Sequence, residues 1–519
     1  MSFLGELRPY QDQARAFLLN RGSALLALDL GTGKTVVSIA AIEELRTQGK
    51  VKCALLIMSS SLTAQWVERI HQFTDSESVV LVDGSLTPTK RSNILSNVME
   101  HTPEYLIMGI RQVVQNIDLI IGMAPDLVLV DEVTSIKNFS TQQTKAIKKL
   151  KSTYRIGLTA EPIENGKAEE MFSIMEWIDR SVFGNWRDFE LNYIKRNSAG
   201  IITGYRNVPE LNKQFLTACF VKRRDDKDVA EFMPTVEEYN CYVEMDDDID
   251  LVYRRIARDL LDVLYSAGDR ASIDLDAHYS GGRQGGSDHQ LGPIGSRLGA
   301  AQLLLSSPTL LRASGERYNE SGDDGGSKYA AGLLDALRGL SVGPKLEACV
   351  ELAEEYLKAN SSHKVIVFSK YKGILPMLEK ELKEYNPVLF SGDLNGRQRG
   401  EAISRFTNDS DCRLFLSSDA GGYGVDLYAA SHLINFNLPD SSGALKQRNG
   451  RHVRANSKFR HVYIDNLLVK GSIEEYQQQR LAYKGRVSSA VLTGLSDRAG
   501  NLDNDVTSLT KFLKDYLNG

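Results

Sequence analysis

Cysteine is scarce and scattered. Cys53, Cys219, Cys241, Cys349 and Cys412 are the only five in 519 residues, and no two form a CxxC pair. That spacing supports neither a disulfide framework nor a zinc site, so the thiols are expected as reduced core residues of a reducing compartment. Long apolar runs are missing too. The longest, such as LLIM and LVLV, are strand-sized and far short of a membrane span. The amino terminus, MSFLGELRPYQDQ, lacks the charged-then-apolar layout of a secretory signal. No membrane partner and a cytoplasmic location are therefore expected. A strong excess of charge of one sign is absent as well: the formal net charge is −5. No global field draws the chain to a polyanion, and any such site must be a local basic groove.

What is present is an alternation of short apolar runs and helical stretches. The chain is too long for one core, so two or three domains are expected. In residues 1–165 the runs SALLAL, CALLIM, EYLIMG, DLVLV and YRIGLT read as strands, with the amphipathic helix KTVVSIAAIEELRTQ among them. This pattern predicts an α/β unit built on a parallel sheet. Residues 166–245 turn helical and irregular and lead into a linker. Residues 246–340 begin helically, then carry YSGGRQGGSDHQLGPIGS and SGDDGGS, which predict glycine-rich flexible loops between helices. From 341 to 490 the alternation returns with KVIVFS, CRLFLS, HLINFN and HVYID, a second α/β unit. Residues 491–519 read as a tail ending in a helix.

Within LLALDLGTGKTVVSIAAIEEL, Gly31, Thr32, Gly33, Lys34 and Thr35 follow a strand and open a helix. Glycines let backbone N–H groups close around phosphate oxygens, and the helix N-terminus adds its positive dipole end. Lys34 would neutralise the β/γ-phosphates and the Thr35 hydroxyl would ligate Mg²⁺. The slot where the full pattern normally has glycine or alanine holds Leu28. A phosphate loop needs a metal-holding acid at a neighbouring strand end, and DLVLVDEVTSIKN delivers Asp131 and Glu132. Asp131 suits Mg²⁺, and Glu132 is placed to orient or deprotonate the attacking water. The stretch KQRNGRHVRANSKFR in the second unit is basic and contains no acid. Arg451 and Arg454, three apart, are expected on one helical face as arginine fingers aimed at a γ-phosphate.

Together these stretches resemble, across roughly residues 5 to 495, the Swi/Snf family of superfamily-two DNA-dependent ATPases. LRPYQDQARAFL is similar to the family's adenine-reading segment, with Gln11 in the place of its glutamine. DLGTGKT resembles motif I, SSSLTAQWVERIHQF motif Ia with Trp66 in place, and DEVTSIKN motif II followed by Lys137–Asn138. LTAEPIEN is similar to motif III, HKVIVFSKY and SSDAGGYGVDLYAASHLINFN to motifs IV and V, and QRNGRHVR to motif VI with Gln447, Arg451 and Arg454. The resemblance implies two RecA-like lobes with a helical insert, ATP and Mg²⁺ as cofactors, and double-stranded DNA as partner. It also implies phosphate contacts from Ser61, Arg111, Lys137, Lys370 and the backbone of Gly421 and Gly422. These would position a duplex without reading its sequence. Three departures stand out: Val133–Thr134 in motif II, Glu161 in motif III, and Ala455–Ser457 after Arg454. They spare the phosphate and metal groups and fall on residues that couple lobes and DNA.

The resemblance implies an ATP-driven translocase on duplex DNA, monomeric and brought to its target by a recruiting protein. The sequence shows no appended zinc pattern, histone-reading domain or basic tail, which fits a minimal bacterial or phage-like form. Two other readings stay open: a strand-separating DNA or RNA helicase, and a nucleotide-gated DNA clamp with weak turnover.

Overall fold

The computed structural model describes residues 3–519 except 61, 83, 85, 199, 269–287, 323–325, 420–424, 456, 496–501, 504 and 505. The chain divides into two compact units. One holds Met1–Lys195, Gly204–Met233 and Arg486–Asp503; the other holds Arg196–Thr203, Pro234–Gly485 and Asn504–Gly519.

Among the described residues the first unit carries a seven-stranded sheet whose strands are all parallel. Across it run Val79–Val82, Tyr105–Gly109, Ala54–Met58, Leu127–Val130, Tyr154–Thr159, Ser23–Leu28 and Cys219–Lys222. The central strands are buried on both faces: all five residues of Ala54–Met58 and all four of Leu127–Val130 are inaccessible. That is why they read as unbroken apolar runs in place of an alternation. The two outermost strands, Val79–Val82 and Cys219–Lys222, are mostly half-buried and escaped the apolar pattern. Because every strand runs the same way, all the carboxyl ends meet on one edge, the edge where ligands bind in open parallel sheets. The loops at 29–33, 59–60, 131–132 and 160–161 leave from it.

The second unit repeats the plan with a six-stranded parallel sheet: Thr235–Val243, His461–Val469, His432–Asn435, Val365–Ser369, Leu414–Ser418 and Val388–Phe390. The predicted α/β class with two parallel-sheet lobes is therefore what the chain forms. A helical layer accompanies this sheet, built from Asp247–Ala267, Asp288–Ser306 and Pro308–Ser321. Its core joins Tyr253, Ile256, Leu260, Leu304 and Leu311 to Leu509 and Leu513 of the last helix, Leu509–Asn518. Tyr516 meets Tyr253 edge-on at 5.1 Å between ring centres. The terminal helix is thus part of a core. From Asp288 onward the stretch expected as loop is helical, broken at Gly292 (φ 69°) ahead of Pro293. The rest of the glycine-rich expectation, at 279–287 and 323–325, lies outside the described residues. Lys345 is 1% exposed and donates to both oxygens of Glu474, at 2.5 and 2.6 Å.

The chain also returns to the first unit after Gly485. Asn212 Nδ2 donates to the Val491 carbonyl at 2.7 Å, and Leu502 pairs antiparallel with Tyr205. Among the described residues no helix is long and apolar enough to cross a membrane.

Candidate active site

Strand Ser23–Leu28 ends in a loop that needs glycine. Gly31 and Gly33 have φ of 79° and 98°, the left-handed region that costs a side-chain-bearing residue steric energy. At Gly33 a Cβ would also lie 2.3 Å from Gln11 Nε2. Helix Lys34–Thr47 starts directly after Gly33 without a side-chain cap, which leaves its first N–H groups for an anion. The loop is braced from helix Pro9–Arg21. Tyr10 Oη and Gln11 Nε2 both donate to the Thr32 carbonyl, at 2.8 and 3.0 Å, while Thr32 Oγ1 donates to the Asp29 carbonyl at 2.6 Å. The Asp29 carboxylate accepts from the Arg224 backbone N–H at 2.9 Å. Lys34 folds back over the loop and donates to the Leu28 carbonyl at 2.9 Å. Gln11, expected from its motif to read the base, is buried and holds the loop in this structure.

Asp131 follows Leu127–Val130, with strand Tyr154–Thr159 between that strand and the one leading to Lys34. Burial pushes its carboxyl above the usual carboxylate range, against a hydrogen bond from Trp66 Nε1 and the Lys34 ammonium, which both favour the ionised form. The Trp66 bond is 2.8 Å long. Sequence reasoning placed Trp66 in a motif but did not pair it with a carboxylate 65 residues on. Glu132 adopts a left-handed backbone (φ 49°), uncommon for a residue with a side chain, and its N–H donates to Asp131 Oδ1 at 2.9 Å. Two of the motif departures acquire partners nearby. Thr134 Oγ1 donates to Glu164 Oε1 at 2.9 Å. Glu161 accepts from Ser488 Oγ and lies 3.9 Å from Arg223 Nη1.

In the second unit, helix Ser442–Asn449 stops at Gly450, so Arg451 and Arg454 do not share a helical face as expected. They leave from the turn that follows, where the Arg451 carbonyl accepts from the Leu427 N–H at 2.9 Å. Gln447, Arg451 and Arg454 are all buried. Arg454 pairs with Asp426 through Nε at 2.7 Å and Nη2 at 2.5 Å. Its Nη1 is buried with no hydrogen-bond partner among the described residues, a donor suited to an incoming anion.

The expected DNA contacts come from both units. Arg111 is exposed on helix Ile110–Gln115. Lys137 is ion-paired with Glu164 and lies 4.0 Å from Glu170. Lys370 is largely enclosed, 3.0 Å from both oxygens of Asp440 and 3.2 Å from Gln302 Oε1. Ser61, Gly421 and Gly422 lie outside the described residues.

Residues 10–279 match the SNF2-related domain and residues 345–456 the helicase conserved C-terminal domain. The putative ATP-dependent helicase/translocase YwqA of Bacillus subtilis is 25% identical over 95% of this chain and 49% of its own length. DNA repair and recombination protein RAD54B of Gallus gallus is 26% identical over 94% of this chain and 54% of its own. The chain spans about half the length of the curated relatives it matches. The Pyrococcus furiosus Hef helicase domain shares the fold, with a TM-score of 0.52 at 17% identity over 90% of this chain and 96% of that one. With the SNF2-related domain covering more than half of its 519 residues, the chain belongs to the SNF2-related family.

Proposed function

We propose that the chain is an ATP hydrolase that converts turnover into movement along double-stranded DNA, a translocase of Swi/Snf type. The observation that carries the hydrolytic part is the pairing, within one unit, of a braced glycine loop bearing Lys34 with a buried Asp131 that feels the Lys34 charge. The loop fits a nucleotide triphosphate: it offers uncapped helix N–H groups and has no room for a Cβ at Gly33. Thr35 and Asp131 supply the oxygen donors a hard cation takes, so they would hold Mg²⁺. When bound, that ion would neutralise charge on the phosphates. Glu132 is our candidate for orienting water. Arg451 and Arg454 are our candidates for stabilising charge that develops on the transferred phosphoryl group.

DNA as partner is supported by the family and by relatives named for DNA repair and for translocation. Arg111, Lys137 and Lys370, with Ser61, Gly421 and Gly422, are our candidates for phosphate contacts. Lys137 and Lys370 would have to trade carboxylates for phosphates. The test measures ATP turnover with no nucleic acid, single-stranded DNA, duplex DNA and RNA. It then offers a triplex and a tailed duplex. Opening a duplex costs about 1.4 kcal/mol per step, so a motor without a separating element should release the third strand and leave the duplex annealed. Unwinding of the tailed duplex would make the protein a helicase, and release of neither strand would make it a clamp.

A further inference from the structure

Polar side chains are uncommon in the middle of a parallel sheet, and the second unit holds a row of them. Asn435, Asn466 and Asn240 are direct neighbours in register across three adjacent strands, and Glu238 lies two residues before Asn240, on the same face. Asn435 is fully buried and Asn466 is 4% exposed, whereas Glu238 sits exposed on the outermost strand.

The hydrogen bonds between them run in one direction. Arg448 Nη1 donates to Asn435 Oδ1 at 3.0 Å. Asn435 Nδ2 donates to Asn466 Oδ1 at 2.8 Å and to Asn449 Oδ1 at 3.0 Å. Asn466 Nδ2 donates to Glu238 Oε1 at 2.9 Å. A cation at one end and a carboxylate at the other polarise the two amides between them, and each link strengthens the next. Every donor and acceptor of the Asn435 amide is engaged with a fixed partner, which determines its orientation.

The inner end of this row matters for function. Arg448 and Asn449 are the last two residues of helix Ser442–Asn449, and Arg451 and Arg454 issue from the turn that follows. We propose that Glu238, Asn466 and Asn435 are positioning residues for Arg451 and Arg454. They act through Arg448 and Asn449, with the surface carboxylate of Glu238 as the outer anchor. The proposal rests on the hydrolytic role given above to the two arginines. It adds a control point on the outermost strand of the sheet.

The test uses the full chain and measures DNA-stimulated ATP turnover, ATP affinity and thermal stability together. Glu238→Ala should lower kcat roughly ten- to a hundredfold, the scale on which a misplaced group is felt, with ATP affinity and Tm close to wild type. Glu238→Gln keeps a carbonyl acceptor for Asn466 Nδ2 and should restore most of the turnover. In an Arg451→Ala/Arg454→Ala background, Glu238→Ala should add almost nothing, because both groups it positions are already gone. The inference is overturned if Glu238→Ala leaves kcat unchanged, if glutamine fails to rescue, if Tm and ATP affinity fall together with kcat, or if the two losses add. Loss of turnover in Arg454→Ala with none in Glu238→Ala would overturn the inference and leave the hydrolytic reading standing. A wild-type chain inert towards ATP would overturn both.

Discussion

Trp66→Phe isolates one bond of the site. Trp66 Nε1 donates to Asp131 Oδ2 at 2.8 Å, and phenylalanine retains most of the buried ring while removing that donor. A hydrogen bond to a charged group contributes about 1.5–3 kcal/mol. Its loss should push the Asp131 carboxyl further above the usual carboxylate range, because the donor favours the ionised form. Burial has already raised that carboxyl above its usual range. A carboxyl whose folded pKa is raised contributes most to stability below its unfolded pKa, and that contribution is lost as pH rises through the folded value. The variant's stability deficit should therefore widen from acidic to neutral pH, on top of a pH-independent packing cost. The proposed Mg²⁺-holding role of Asp131 requires its ionised form, so the acid limb of the rate profile should move to higher pH. Urea unfolding and ATP turnover, each followed from about pH 5 to pH 8, measure both. A constant stability deficit together with an unmoved acid limb would refute the reasoning and reduce Trp66 to packing.

Gly33→Ala forces a side chain onto φ 98° and into Gln11 Nε2, so ATP affinity should drop sharply while folding stability falls by the roughly 1–3 kcal/mol of a strained backbone position; nucleotide titration beside urea unfolding checks this. Arg454→Ala should lower kcat about a thousandfold or more with little change in ATP affinity, and a loss confined to DNA affinity would make that arginine a phosphate binder only. Lys345→Ala leaves Glu474 buried without its partner and should cost about 3–5 kcal/mol in urea unfolding. The double change Lys345→Met/Glu474→Leu should recover most of that loss, and failure to recover would mean the ion pair is not what the single variant breaks.

The candidate site was legible in the sequence where its local geometry depends on consecutive residues. The glycine loop from Gly31 to Thr35 sits between a buried strand and a helix, and Asp131–Glu132 follows four apolar residues. The central strands announced themselves because burial on both faces demands unbroken apolar runs. The outer strands Val79–Val82 and Thr235–Val243 did not, since half of their surface answers to solvent. Spacing misled once: Arg451 and Arg454 looked like helix neighbours, but the helix ends at Asn449 and the pair lies in the turn beyond.

The sequence by itself determined the two parallel sheets, the glycine loop that opens helix Lys34–Thr47 and the acids placed at a neighbouring strand end. Those properties come from local backbone geometry and from the polarity of neighbouring residues. Tertiary structure alone decided that Tyr10 and Gln11 brace Thr32, that Trp66 holds Asp131, and that the last helix completes the core around Tyr253. It also decided that Asn435 and Asn466 link Arg448 to Glu238. Each of these joins residues distant in the chain through a direction and a distance, and a linear pattern carries neither.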